Sequence, residues 1–263
     1  MHCDVRADGT PYVSQQDFRA PIHLSKSHVD NGFLVQSIVN PTAGFFDSDL
    51  LDVSVKVGPF AKLVLSTPSA SRVYRSRNGN GTKVTQNFQV SEDAVFEWIP
   101  EAFIPHAGAK YHQSTRIFLH ESASLLYVDW IAPGRVAMGE IFVYDKLRWE
   151  FDLLMSGNLL ARERFTIAPD DDSLAALKMK FAAAHFITVY AAGLFTQSWP
   201  EELLDQFNQE DCYFGHGPVG NGVFVIRALC RDSLAARRTI ETLRKLLYHS
   251  AGATPPHLGR IFC

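Results

Sequence analysis

Between Asn40 and Ser76, turn residues and short runs of β-formers alternate without a break: Asn40-Pro41-Thr42-Ala43-Gly44, then Asp49, Val53-Ser54-Val55-Lys56-Val57, Gly58-Pro59, Leu65-Ser66-Thr67-Pro68 and Val73-Tyr74-Arg75-Ser76. The stretch therefore reads as short strands joined by tight turns, a series of antiparallel strands.

The same text runs on from Thr10 to Thr166. Leu50 to Val57 alternates apolar with polar residues at the period of a half-buried strand. Asn78-Gly79-Asn80-Gly81 has the composition of a hairpin turn, since Asn and Gly tolerate positive φ. Thr82 to Val90 has a thin apolar side and reads as an edge strand. Further strands are expected at Ala94–Ile99, Lys110–Leu119, Ser124–Ile131, Gly139–Asp145, Leu147–Met155 and Leu160–Ile167, with turns at Glu121-Ser122, Pro133-Gly134 and Ser156-Gly157-Asn158. So many short strands argue for stacked sheets or a coil of strands.

The texture changes after Pro169. Asp170-Asp171-Asp172-Ser173 reads as a linker or helix cap, and the second half of Phe181 to Leu194 as a strand. Ser198-Trp199-Pro200-Glu201 has capping-box spacing and predicts a short helix to about Gln209. Gly222–Leu229 is another strand. Asp232-Ser233 caps a second helix whose Ala236, Ile240, Leu243 and Leu247 fall on one face. The fold class is α+β and predominantly β, with strands in stacked or helical sheets and two late helices. One domain is expected over residues 1–263, strand-rich over 10–167, mixed over 170–250, with a tail at 251–263.

Hydrophobic residues make up 46% of the chain and charged residues 20%, enough for a sizeable core. A formal net charge of −3 offers no field for nucleic acid or an anionic membrane. No apolar stretch is long enough to span a bilayer, and Met1-His2-Cys3-Asp4-Val5-Arg6 lacks a secretory h-region. A cytoplasmic location follows as an expectation. Cys3, Cys212, Cys230 and Cys263 form no CxxC pair and read as reduced thiols.

Few residues announce chemistry. Asp47-Ser48-Asp49 would place two carboxylates on one face of a strand, able to hold a cation or act as a base, although a polar strand start is the commoner meaning. Cys212 and His216 have metal-like spacing, but in a glycine-rich turn. No nucleotide-binding glycine loop and no nucleophile elbow occurs. Glu97, Glu101, Glu140 and Glu163 are interleaved with bulky apolar residues. Each lies either on a solvated strand face or along an internal polar passage. Trp149, Phe151, Phe195 and Trp199 could form apolar surface for a partner to cover.

Several blocks, taken in order, resemble the urease accessory protein D family (UreD, called UreH in some organisms). They begin with the Asn40–Ser76 pattern. Phe96-Glu97-Trp98-Ile99-Pro100-Glu101 is similar to the family's Leu-Glu-Trp-Leu-Pro-Gln-Glu segment. Gly134-Arg135-Val136-Ala137-Met138-Gly139-Glu140 is similar to its Gly-Arg-x-Ala-x-Gly-Glu turn, and Arg162-Glu163-Arg164 to its Arg-Glu-Arg strand. The resemblance runs from Phe18 to Phe262. The chain departs from the family at Thr42 and Ala43, where glycines are common, and at Ala102 and Phe262.

The resemblance implies a non-enzyme: a scaffold that joins the partners UreF and, through it, UreG to apo-urease, with strands wound helically. It also implies an internal passage for nickel in transit, with no tightly bound cofactor. By position, Asp49, Ser66, Glu97, Glu140 and Glu163 are the candidate polar groups along such a passage, and Tyr74 and Arg75 the candidate partner contacts. Spaced oxygen ligands suit a travelling divalent ion better than clustered imidazoles or thiolates. Two other readings remain open: a metal-dependent hydrolase using Asp47, Asp49 and nearby histidines, and a plain interaction module with no ion traffic.

Overall fold

The computed structural model describes residues 1–42, 44–169 and 173–258. The Asp170 to Asp172 run, Ala43, Phe262 and Cys263 lie outside them. In chain order the strands are β1 (His2–Val5), β2 (Pro11–Gln15), β3 (His23–Leu24), β4 (His28–Asp30), β5 (Phe33–Val39), β6 (Leu50–Val57), β7 (Lys62–Ser66), β8 (Ser71–Val73) and β9 (Thr82–Val90). Then come β10 (Val95–Ile99), β11 (Phe103–Pro105), β12 (Lys110–Leu119), β13 (Ser124–Ile131), β14 (Lys146–Met155) and β15 (Asn158–Ile167). The C-terminal part adds helix α1 (Ser173–Lys180), β16 (His185–Ala192), helix α2 (Glu201–Asp205), β17 (Cys212–Gly220), β18 (Val223–Cys230) and helix α3 (Ser233–Ser250).

The strands form two sheets that the chain visits alternately. One runs β15-β14-β12-β9-β6-β1-β2; the other runs β17-β18-β16-β13-β10-β7-β5-β3. Through the middle of the chain, consecutive strands do not pair. β6 pairs β9, β9 pairs β12 and β12 pairs β14, all parallel. Opposite them β5 pairs β7, β7 pairs β10 and β10 pairs β13, also parallel. The chain is thus a coil of strands, each winding giving one strand to each sheet, with β8 and β11 as a short third side. The antiparallel series expected from Asn40–Ser76 is therefore corrected. Gly58-Pro59 and Asn78 to Gly81 are corners that carry the chain from sheet to sheet, and a corner uses the same residues as a hairpin. Antiparallel pairs close the ends: β1 with β2, β14 with β15, and β16 with β13 and β18. Of the expected turns, Ser156-Gly157-Asn158 is the one that makes the tight hairpin its composition suggests.

The windings decide which residues are buried. The seven-stranded sheet has one wet face, so β9 alternates buried with less buried residues along its length. β9 nonetheless sits mid-sheet between β6 and β12, not at an edge as expected. The other sheet is covered on both faces: every residue of β10 and β13 is buried. On its inner side Leu63, Leu65, Phe96, Leu125 and Tyr127 meet Phe88, Ile117 and Phe151 of the facing sheet. On its outer side Val64, Val95, Leu126 and Val128 share a cluster with Ile240, Leu243 and Leu247 of α3. That helix starts where the sequence places it. The Asp232 side chain accepts from the Ala235 amide at 2.8 Å, and Ala236 is buried with the other three face residues.

Other expectations are corrected. Gly139–Asp145 is a loop, and Cys212 to Gly220 is strand β17, not a turn. The short helix α2 has Pro200, not Ser198, at its N-terminus and no side-chain cap. A third helix, α1, precedes β16. Trp149, Phe151 and Phe195 are core residues, and Trp199 stacks on Phe224 with ring centroids 4.2 Å apart. Among the described residues no helix is long and apolar enough to cross a membrane.

Candidate functional site

Between the two sheets the packing is incomplete. A narrow cavity of about 90 Å³ runs along the stack of windings, touching Val53 of β6, Gln86 of β9, Gln113 of β12 and Trp149 of β14 on one side, and Trp98 and Asp129 on the other. A wider one of about 780 Å³ opens between β15 and the β17–β18 pair and is lined by Glu163, Phe165, His216 and Arg227. Asp129 and Trp149 stand in the walls of both.

A chain of polar side chains borders this junction. The Tyr111 hydroxyl donates to Gln113 at 2.9 Å, Gln113 Nε2 donates to Thr115 at 3.3 Å, and Thr115 donates to Gln86 at 2.9 Å. All four residues are buried. Asp129 Oδ2 accepts from the Tyr127 hydroxyl and from Trp149 Nε1, each at 2.9 Å. Burial outweighs those bonds, and the Glu163 charge adds to its effect, so the Asp129 carboxyl is raised to about 7. A carboxyl held there can take or release a proton near neutrality. At the mouth, Glu163 accepts from the Tyr190 hydroxyl and pairs with Arg227. Burial and this carboxylate hold the Tyr190 phenol far above its usual range.

The sequence profile of the UreD urease accessory protein family matches residues 2–262. Curated relatives agree over nearly the whole chain. The urease accessory protein UreD of Opitutus terrae is 33% identical over 246 residues, 92% of this chain and 90% of that one. UreD 2 of Pseudomonas syringae pv. syringae is 32% identical over 263 residues, 97% and 88% of the two chains, and UreD 2 of Pseudomonas syringae pv. tomato 31% over 255 residues, 94% and 85%. The chain belongs to the UreD family. Membership supports a part in urease maturation.

In this UreD chain the five residues proposed for a passage do not converge. Glu163 lines the wider cavity. Ser66 and Glu97 are buried on the outer face of their sheet, opposite the cavity. Ser66 bonds Ser37 at 3.0 Å, and Glu97 receives Arg244 Nη2 at 2.9 Å and the Tyr248 hydroxyl at 2.7 Å from α3. Asp49 closes a turn by accepting from the Phe46 amide at 2.8 Å. Glu140 pairs with Arg135 in a separate surface groove that also holds Tyr74 and Arg75.

Asp47 is likewise committed, to Ser76 and to the amides of Asn78 and Gly81 at 2.6–2.7 Å. Ser48 between the two aspartates has φ of 72°, so they do not share a strand face. Among the described residues no group of three His, Cys, Asp or Glu side chains could hold a metal ion. The geometry therefore gives no support to the hydrolase reading.

Asp129 escaped the motif-based reading. Its signal was present in Ser-Leu-Leu-Tyr-Val-Asp-Trp-Ile, a strand with no polar face and one acid. An ionisable residue in such a run has no route to solvent and must meet partners inside. The second missed feature is the cross-strand pair Cys212 and Cys230, whose sulfurs lie 3.6 Å apart. Their spacing in sequence concealed it.

Proposed function

We propose that this UreD family member is a urease maturation factor without covalent chemistry of its own. It acts in the cytoplasm, joining UreF and, through UreF, UreG to apo-urease, and it passes nickel through its interior. The observation that carries the ion-passage reading is the sharing of Asp129 and Trp149 by the narrow cavity between the sheets and the wider open cleft, with buried oxygens along the approach and Glu163 at the wider mouth. Nickel is the cargo. Oxygen donors spaced along the windings release such an ion more readily than a set of thiolates and imidazoles would. Tyr74 and Arg75 lie in a separate surface groove, so partner contacts made there would leave the passage unoccupied.

The test co-expresses urease and its maturation partners with Asp129→Ala or Glu163→Ala. Nickel per urease active site is measured by elemental analysis, and UreF and apo-urease are co-purified with the chain. Partner capture is expected to persist while nickel content and urease activity fall severalfold. Full nickel loading with both variants would refute ion passage and leave the scaffold role alone.

A further inference from the structure

We propose that Cys212 and Cys230 form a peroxide-reactive dithiol: a small hydroperoxide enters the pocket beside Cys212 and oxidises its sulfur, and Cys230 converts the product to a disulfide between β17 and β18. This goes beyond the function proposed above, and it holds whether or not an ion crosses the interior.

The backbone brings the two sulfurs together. Cys212 opens β17, Cys230 closes β18, and they face each other in the antiparallel register. The Arg231 amide donates to the Asp211 carbonyl at 2.9 Å, while the amide and carbonyl of Cys212 are both used by Gln209. The two cysteines are therefore a non-hydrogen-bonded pair, the kind whose Cα atoms lie about 4.5 Å apart and whose side chains approach most closely. That separation falls within the range a disulfide spans. The sulfurs already lie 3.6 Å apart.

Access is one-sided. A pocket of about 220 Å³ beside α2 and α3 is lined by Gln206, Asp211, Cys212, Arg238, Thr239 and Thr242. Cys212 is 4% exposed, whereas Cys230 does not line the pocket and is fully enclosed. A peroxide arriving there meets the Cys212 sulfur first, with Cys230 behind it.

The surroundings assign the roles. The Thr239 hydroxyl donates to the Cys212 sulfur at 3.7 Å and accepts from the Cys230 thiol at the same distance. Hydrogen bonds from Cys230 and Thr239, helped by the Arg238 charge, hold the Cys212 thiol below its usual range against burial and the Asp211 carboxylate. The bond to Cys212, together with burial, holds the Cys230 thiol far above it. Cys3 is the contrast: it is fully enclosed, and burial pushes its thiol up to about 12.

The chemistry balances with hydrogen peroxide as oxidant. The Cys212 thiolate attacks one peroxide oxygen and the O–O bond breaks. Cys212 becomes a sulfenic acid, and the other oxygen leaves as hydroxide, which takes up the proton Cys212 gave up and becomes water. The Cys230 sulfur then attacks the Cys212 sulfur, and the hydroxyl departs with the Cys230 proton as a second water. Each sulfur gives up one electron and the peroxide accepts both. The product ties the start of β17 to the end of β18, the strand that leads into α3.

The test exposes the reduced full chain to a few equivalents of hydrogen peroxide, blocks the remaining thiols with iodoacetamide, digests without reductant and maps the peptides by mass spectrometry. A peptide pair joined through Cys212 and Cys230 is expected in most molecules, and dithiothreitol should release it. Cys230→Ser should leave Cys212 as a sulfenic acid that dimedone traps, and Cys212→Ser should slow oxidation of Cys230 about tenfold or more. A link that forms only after unfolding in urea, oxidation of Cys230 at the wild-type rate in Cys212→Ser, or linkage of Cys212 to Cys263 in place of Cys230 would each overturn the proposal. The wild-type map depends on no variant folding. The assay contains neither nickel nor urease, so failure of the passage leaves its outcome unchanged.

Discussion

Replacing Asp129 by asparagine tests whether the junction holds a carboxyl against its solvation preference. The amide keeps the shape and one oxygen, able to accept from both Tyr127 and Trp149. At about 1.4 kcal/mol per pH unit, a carboxyl held at about 7 in place of its ordinary 3.8 makes wild-type stability depend on pH by about 4 kcal/mol. The folded chain binds this proton more tightly than the unfolded one. The contribution is therefore fully present below pH 3.8 and is lost as pH rises through about 7. The Asp129→Asn variant has no such proton to lose.

His185 works in the opposite sense. Burial lowers its imidazole from 6.5 to about 4, so stability rises with pH across that window. It is worth about 3 kcal/mol by the same conversion. The two residues nearly offset each other between pH 4 and 6.5, leaving the wild-type curve there only the gentler rise that burial of His106 supplies. Asp129→Asn exposes the His185 slope: its stability should climb by about 3 kcal/mol over that interval and exceed wild type by about 4 kcal/mol at pH 8. Urea unfolding followed by tryptophan fluorescence from pH 4 to 8 measures this. Glu140, Glu150 and Asp152 are held below their usual range and act only at lower pH. Parallel curves for variant and wild type would refute the reasoning.

Three further outcomes are expected. His185→Phe should remove the rising limb, leaving stability to fall from pH 4 to 7 in the same urea experiment, at the cost of the 3.1 Å bond that Trp130 Nε1 donates to the ring. Glu97→Ala should destabilise by about 3–5 kcal/mol because it strands Arg244 in the α3 interface, read as a lower denaturation midpoint. Glu97→Ala with Arg244→Met should recover part of that loss. Asp232→Ala should cost about 1 kcal/mol through the lost α3 cap, read as a small fall in melting temperature.

The elements legible in the sequence are those whose signal is local. The α3 cap and its apolar face, the Ser156–Asn158 hairpin and the in-and-out alternation of strands such as Leu50–Val57 depend on neighbours a few residues away. What was hidden depends on distant segments. A corner at Gly58-Pro59 has the residues of a hairpin, and only the partner strands reveal that β6 lies beside β9 and not β7. The candidate site was obscured for the same reason. Glu97 and Asp129 are both acids in apolar strands of one sheet, yet one faces α3 and the other the interior. Which face is which is set by strand parity and by where α3 docks, and neither can be read from the residues flanking each acid.

The winding also fixes a length. Neighbouring strands in a sheet are spaced by about 4.8 Å, and the narrow cavity runs along the direction in which β6, β9, β12 and β14 are stacked. The distance between its two ends is therefore counted in whole turns of the backbone. Lengthening a corner loop would leave that distance untouched, whereas deleting one turn would bring the ends closer by a single strand spacing.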